Sequence, residues 1–483
     1  MRLPTFLPRA LTTALALCMA LLPGGGHAAS QAKGPAVTAS AAAPATPAAA
    51  PATPAAAASA AAEAPTGAGQ RIYERTRGRL LQVRTLLKTQ DSQSSVGSGF
   101  LVDSQGHLVT NYHVVSQYAL QPKRHRLVYA TVDGQQGALE LLAFDVVNDL
   151  ALLRAVDPAA LSGRGAVEIR DADKPLPRGA RIFSLGNPLD VGFAVAEGSY
   201  NGPVERSFLL TLFFGGSLSA GMSGGPALDI DGRLIGVNVA ARRDGEQVSF
   251  LVPAEPVRAL IARGRGGPAL TEPAWPEITR QLLKHEARLV DRFIAQPWRS
   301  AGHPVYTIPV PQETWMRCWG QGSAQAARGL QFERSDCEMD SRIFVSGPLI
   351  TGFIKVRHEA YDGSRIGALR FAQRHTASFA NEFVGVNDRL RTAAQCVEHN
   401  VAATARPGNT GPTLPLKAVV CLRAYKKLEG LHDLMVLVAT LDGRVVGVQG
   451  RLDAQGVSLP SAQRLTQHYL DGFAWNPAKT ASP

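Results

Sequence analysis

The sequence predicts an all-β barrel or sandwich from about Gln93 to Pro253, followed by a mixed α+β region. Short runs rich in Val, Leu, Ile and Phe recur, broken at spacings of roughly 8–12 residues by Gly, Asp, Ser and Asn. No helical periodicity intervenes between these runs, which favours closed or stacked antiparallel sheets. Beyond residue 273 the pattern alternates between helical and strand periods, as in an α+β unit.

The 483 residues suffice for two or three domains with real cores. Hydrophobic residues make up 45% and charged residues 18%, a globular balance. The formal charge of +11 is spread along the chain without a run of five like charges. That describes a solvated basic surface, not a nucleic-acid footprint, and no nucleic-acid-binding motif accompanies it. No apolar run approaches the roughly 20 residues of a membrane-spanning helix, which argues against an integral transporter or channel.

Residues 1–28 read as an export signal: Arg2 and Arg9, an apolar core from Ala10 to Leu22, then Gly26-His27-Ala28 for cleavage. The apolar core is too short to serve as a membrane anchor. Cys18 raises lipidation, against which stands Leu17, where a small residue is usual. Residues 29–68, almost wholly Ala, Pro, Thr and Ser, read as an extended, disordered linker. A β unit then occupies 69–263, a Gly/Pro linker 264–272, and an α+β domain 273–476.

In the β unit, strands are expected at Gly97–Val102 and from His107 to Asn111, joined by a turn at Asp103–Gly106. Further strands are expected at Arg181–Leu185, Phe193–Gly198, Phe208–Phe214 and Val248–Val252, with a hairpin at Asp229–Arg233. Ile72, Tyr73, Leu80, Leu81 and Val83 suggest a first strand. A helix with proline near its start is expected over Glu255–Ile261. In the last region a helix is expected within 273–298, with strands at Arg342–Val345, Phe353–Glu359, Lys417–Arg423, Leu434–Thr440 and Gly443–Arg451. Helices are expected at Ile366–Glu382 and Ser461–Phe473. The cysteines there, Cys318, Cys337, Cys396 and Cys421, allow three pairings, of which the local ones, Cys318–Cys337 and Cys396–Cys421, are preferred. A four-thiolate zinc site competes, but no C-x-x-C pair supports it. His358, His375, His399 and His432 lack metal-ligand spacing, and Trp315, Trp319 and Trp475 read as core or rim residues.

Three segments carry chemistry. Thr110-Asn111-Tyr112-His113-Val114-Val115 places a histidine as a strand ends. Asn148-Asp149-Leu150-Ala151-Leu152-Leu153 sends an acid into an apolar strand, and Gly221-Met222-Ser223-Gly224-Gly225-Pro226 sets a serine in a glycine-rich loop. Each alone has a structural explanation. Together they supply what acyl transfer by serine requires: a nucleophile, a base, an acid that orients the base, and backbone N–H groups for the oxyanion. Asp145 is the neighbouring rival to Asp149. Gly221–Gly225 also satisfies the G-x-S-x-G elbow of α/β-hydrolases, but Gly-Gly-Pro is a poor helix start and the His, Asp, Ser order is wrong for that fold.

These residues resemble trypsin-like serine proteases of the HtrA/Deg branch. Roughly residues 92–257 carry the resemblance, through Gly97-Ser-Gly-Phe, Thr110-Asn-Tyr-His-Val-Val, Asp149-Leu-Ala-Leu-Leu, Gly186-Asn-Pro, Gly221-Met-Ser-Gly-Gly-Pro, Gly232-Arg-Leu-Ile-Gly-Val-Asn and Ser249-Phe-Leu-Val-Pro. The resemblance implies an all-β, trypsin-like pair of six-stranded barrels, His113 and Asp149 in the first and Ser223 in the second. Ser223 would be the nucleophile, His113 the general base, Asp149 its orienting carboxylate, and Gly221 and Ser223 the oxyanion donors. The implied activity is that of an exported endopeptidase in the periplasm or secreted, acting on protein or peptide substrates without cofactor or metal, as a trimer by family habit.

The approach loop Gly215–Ala220 departs from the family pattern, which puts the substrate pocket in question. Ser217, Ala220, Met222, Asn238 and Ala240 are its expected lining, the opposite wall running from Asn238 to Gln247. Arg242 and Arg243 in that stretch could favour an acidic substrate residue but read better as solvated loop charges. The resemblance implies a preference for a small apolar side chain. No PDZ signature follows residue 264. The competing readings are a catalytically silent, protease-shaped scaffold and a protease switched on through the last region.

Overall fold

The computed structural model describes residues 67–476, apart from 172, 242–246, 325–328 and 404–411. The expected export signal and residues 29–66 of the linker lie outside the described residues. The linker's last two positions open helix α1 (Gly67–Thr76), so Ile72 and Tyr73 are helical, and the first strand starts only at Leu80.

Two closed six-stranded barrels follow. The first contains β1 (Leu80–Leu87), β2 (Gln93–Leu101), β3 (His107–Thr110), then helix α2 (Tyr112–Leu120), β4 (His125–Thr131), β5 (Gln136–Asp145) and β6 (Leu150–Ala155), closed in the order β1-β2-β3-β6-β5-β4. The second contains β7 (Arg181–Gly186), β8 (Ala194–Pro203), β9 (Leu212–Gly215), β10 (Pro226–Leu228), β11 (Leu234–Ala241) and β12 (Ser249–Pro253), closed as β10-β11-β12-β9-β8-β7. Closure leaves no free sheet edge. The strand expected at Phe208–Phe214 is shorter, because Phe208 leaves the barrel to pack edge-on against Trp315 of the C-terminal region. At the Asp229 hairpin, Asp229 Oδ1 accepts from the N–H groups of Asp231 and Arg233, and Gly232 takes φ +83°.

After α3 (Ala254–Gly264) and α4 (Trp275–Ala295), three two-residue strands, β13 (Arg299–Ser300), β14 (Tyr306–Thr307) and β15 (Pro309–Val310), lead into the C-terminal sheet. Its strands are β16 (Met316–Gly322), β17 (Gln331–Met339), β20 (Phe353–Asp362), β21 (Gln395–Ala403), β22 (Leu414–Ala424), β23 (Leu431–Thr440) and β24 (Val446–Ser458). They are ordered β16-β17-β20-β24-β23-β22-β21, all neighbours antiparallel. A hairpin of β18 (Ile343–Ser346) and β19 (Leu349–Thr351) stands apart from it. Period-2 alternation gives the sheet two apolar faces. Leu434, Val436 and Val438 join a core with Leu289, Val290 and Phe293 of α4 and Leu465 of α6 (Leu459–Leu470). Met435 and Leu437 turn the other way, toward Phe379 of α5 (Ala368–Ala380).

Cys318 bonds Cys337 and Cys396 bonds Cys421, the local pairing. Each bridge joins directly opposed residues, and each ties an edge strand (β16, β21) to its neighbour. The outward-facing β21 has little apolar burial of its own, so the bridge holds a strand that packing alone holds weakly. Trp315 is core; Trp319 is 67% exposed.

Helix α4 links this sheet to the first barrel. Its first half places Ile278 and Leu282 in a cluster with Tyr112, Val115 and Phe144, whereas its second half enters the sheet core. Reducing the two disulfides should therefore accelerate amide exchange in β16 and β21 while barrel amides stay protected, measurable by hydrogen–deuterium exchange.

Candidate functional site

His113 sits in the first turn of α2, one residue beyond the strand-end position expected, and Asp149 closes the turn before β6. The helix start and that turn are stitched together by four hydrogen bonds. Asp149 Oδ1 accepts from the His113 backbone N–H (2.8 Å) and Oδ2 pairs with His113 Nδ1 (2.6 Å). The Asp149 carbonyl accepts from the Tyr112 N–H (3.1 Å) and from Asn111 Nδ2 (2.8 Å). Asp149 adopts φ +54°, left-handed backbone that a non-glycine residue holds only when its surroundings fix it. Asp145 is occupied elsewhere, accepting from Val147 N, Asn148 N and Asn148 Nδ2.

With its Nδ1 proton on the carboxylate, neutral His113 presents Nε2 as an acceptor. Burial disfavours the imidazolium, but the charge and hydrogen bond of Asp149 outweigh it, so the pKa lies above the ordinary 6.5. Burial, then the Asp149 charge, pushes the Tyr112 phenol up; it stays neutral and donates to the Val345 carbonyl at 3.1 Å.

Ser223 lies in the loop before β10, in the second barrel. Its carbonyl accepts from the Ser98 N–H of β2 at 2.8 Å, which ties the serine loop to the first barrel. Ser98 Oγ donates to Gly221 O (2.7 Å) and accepts from Asn187 N (2.9 Å), and the Ser98 carbonyl accepts from Thr110 Oγ1 (2.6 Å). Glycine is required beside these contacts. A Cβ at Gly97 would come within 2.5 Å of Val114 and 2.9 Å of Ser223 O, so His113's neighbour and the serine loop flank one glycine. Gly221, at φ +92°, has no room either: its Cβ would meet Asn187 O at 2.4 Å. Among the described residues, neither the Gly221 nor the Ser223 N–H donates to a backbone carbonyl. Ser223 Oγ donates to Val239 O at 2.9 Å; no hydrogen bond joins it to His113 in this state.

The expected pocket lining is only partly brought to the site. Ser217 and Ala220 lie exposed on the approach loop, whose Ala220 carbonyl accepts from Leu189 N at 2.7 Å. Met222 is buried, its Cβ 3.1 Å from where a Gly186 side chain would begin. Asn238 is corrected from pocket wall to internal strut: fully buried, it donates to Leu185 O and Met222 O and accepts from Ser184 Oγ. Arg242, Arg243 and the Ala240 side chain lie outside the described residues. A cavity of about 720 Å³ instead opens beside Asp149 and Val239, lined by Phe250 and, from the C-terminal region, Arg317, Asp340 and Arg342. Sequence reasoning missed Ser98 and Asn187 as organisers, although both stand in motifs it quoted. His358 and His375 are buried in the C-terminal domain, where His358 Nε2 meets Tyr469 Oη at 3.1 Å.

Residues 97–237, which run through both closed barrels, match the family model described as trypsin-like peptidase domain. Among curated proteins, the chain is similar to "Protease Do-like 5, chloroplastic" of Arabidopsis thaliana, 30% identical over 184 residues, covering 33% of this chain and 54% of that protein. It is likewise similar to "Periplasmic pH-dependent serine endoprotease DegQ" of Escherichia coli (strain K12), 29% identical over 177 residues, covering 34% and 36%. Both matches span under two thirds of the relative's length. A solved serine endoprotease from Yersinia pestis matches 40% of this chain and 65% of its own at 20% identity, with a TM-score of 0.35.

His113 should titrate above 6.5 by NMR, and in Asp149→Asn below it, since burial alone then acts. Ser98→Ala, which strands Gly221 O and Asn187 N, should cost about 1–3 kcal/mol in denaturant unfolding.

Proposed function

We propose that this chain is an exported serine endopeptidase that cleaves proteins or peptides of the cell envelope through an acyl-enzyme. The pairing of His113 with Asp149 through both ring nitrogen and backbone N–H is the observation that carries this reading. Two disulfides in the C-terminal region favour an oxidising compartment, and relatives named as periplasmic endoproteases agree with it.

In the proposed cycle the Ser223 hydroxyl rotates from the Val239 carbonyl toward His113 Nε2. Nε2 takes its proton as Oγ bonds the substrate carbonyl carbon. The imidazolium that forms is held by the Asp149 carboxylate, while the Gly221 and Ser223 N–H groups receive the oxyanion. His113 then protonates the leaving nitrogen as the C–N bond breaks; water, deprotonated by His113, adds to the acyl carbon, and the Ser223 Oγ–C bond breaks as His113 returns that proton to Oγ. The raised pKa suits a base that must accept this proton. Nothing in a pure binding scaffold requires this arrangement.

Incubation of the processed chain with an unfolded protein should give internal cleavage fragments, and Ser223→Ala should lower the rate by roughly 10⁴-fold or more. Equal cleavage by the two proteins would remove the assignment.

A further inference from the structure

The C-terminal region reaches the site itself. The β18–β19 hairpin buries Ile343, Val345 and Leu349 in one cluster with Tyr112, Val115 and Ala119 of α2, the helix that carries His113. The Tyr112 hydroxyl donates to the Val345 carbonyl at 3.1 Å. Between those anchors, Phe344 stands edge-on to the His113 ring, centroids 6.1 Å apart and planes at 81°. The segment just before the hairpin supplies Asp340 and Arg342 to the cavity beside Asp149 and Val239, and β16 supplies Arg317. Asp149 holds the histidine and Val239 O holds the serine hydroxyl, so this cavity adjoins both halves of the triad.

Charge in the cavity is not balanced. Asp149 is committed to His113, Glu205 to Arg178 (3.1 Å) and Asp340 to Arg317 (2.7 Å). Arg342 lies over the Phe353 ring, 4.7 Å from its centroid, and its carboxylate partner is a loose, half-exposed Glu338 at 3.5 Å; among the described residues no ion pair holds Arg206. Arg317 Nε is buried without a hydrogen-bond partner. The wall thus has guanidinium capacity to spare, which a carboxylate matches in charge and geometry.

We propose that the C-terminal region completes the substrate cleft. Phe344 bounds the seat for the substrate side chain lying against His113, and the arginine-rimmed cavity takes an acidic side chain from the same unfolded peptide. This rests on the peptidase reading and adds the substrate class. An aromatic edge closing one side of a seat restricts side-chain size there, with discrimination of roughly 10-fold or more between small and large residues.

The test is cleavage of a mixed peptide library by the full chain, read by mass spectrometry, for the wild type, Phe344→Ala and Arg342→Glu. Phe344→Ala should admit larger side chains at one position near the cut. Arg342→Glu, a surface change that threatens the fold little, should cut relative cleavage of acid-containing peptides by roughly 10-fold. Profiles of both variants that superimpose on that of an active wild type overturn this proposal alone. A wild type that cleaves neither the library nor unfolded protein removes the peptidase reading, and this proposal with it.

Discussion

The two halves of the site lie in different barrels, and Ser98 is where those barrels are registered. Its N–H, hydroxyl and carbonyl contact Ser223, Gly221, Asn187 and Thr110, so one fully buried residue of the first barrel positions the serine loop of the second. A buried hydroxyl that both donates and accepts has no spare capacity, and losing it strands two backbone groups. Glycine on either side of Ser98 keeps the strands close enough for these bonds: a Cβ at Gly99 would meet Val109 O at 3.0 Å.

The second organising feature is continuity between the first barrel and the C-terminal region. Gln281 of α4 donates to Phe144 O and accepts from Val146 N, gripping the turn that carries Asp149. The β18–β19 hairpin grips the helix that carries His113. His113 and Asp149 are thus both braced from the same C-terminal side. Deformation of that region has a mechanical route to the imidazole, a different arrangement from a substrate-binding module on a flexible linker.

The barrels, and the pairing of His113 with Asp149, were legible in the sequence because their determinants are local. Gly221 must accept a positive φ, Asp149 must close a turn into an apolar strand, and Gly232 must follow Asp229 in a hairpin, each demand met within a few residues. The contacts that escaped are distant in sequence. Tyr112 and Val345 are 233 positions apart, and nothing in the local pattern of Phe344 marks it as a neighbour of His113. Strands β16 and β21 were missed because their outward-facing residues lack apolar alternation, the signal on which strand recognition rests. Asn238 looked like a pocket residue by its place after β11 begins, but every polar atom of its side chain is used inside the barrel.

Fluorophosphonate labelling of the processed protein, with mass mapping of the adduct, tests the central claim most directly, because such a probe needs an activated serine and an oxyanion site but no knowledge of the natural substrate. The account predicts a single adduct on Ser223 that forms faster as His113 loses its proton. A folded protein that acquires no adduct at Ser223 at any pH would contradict it.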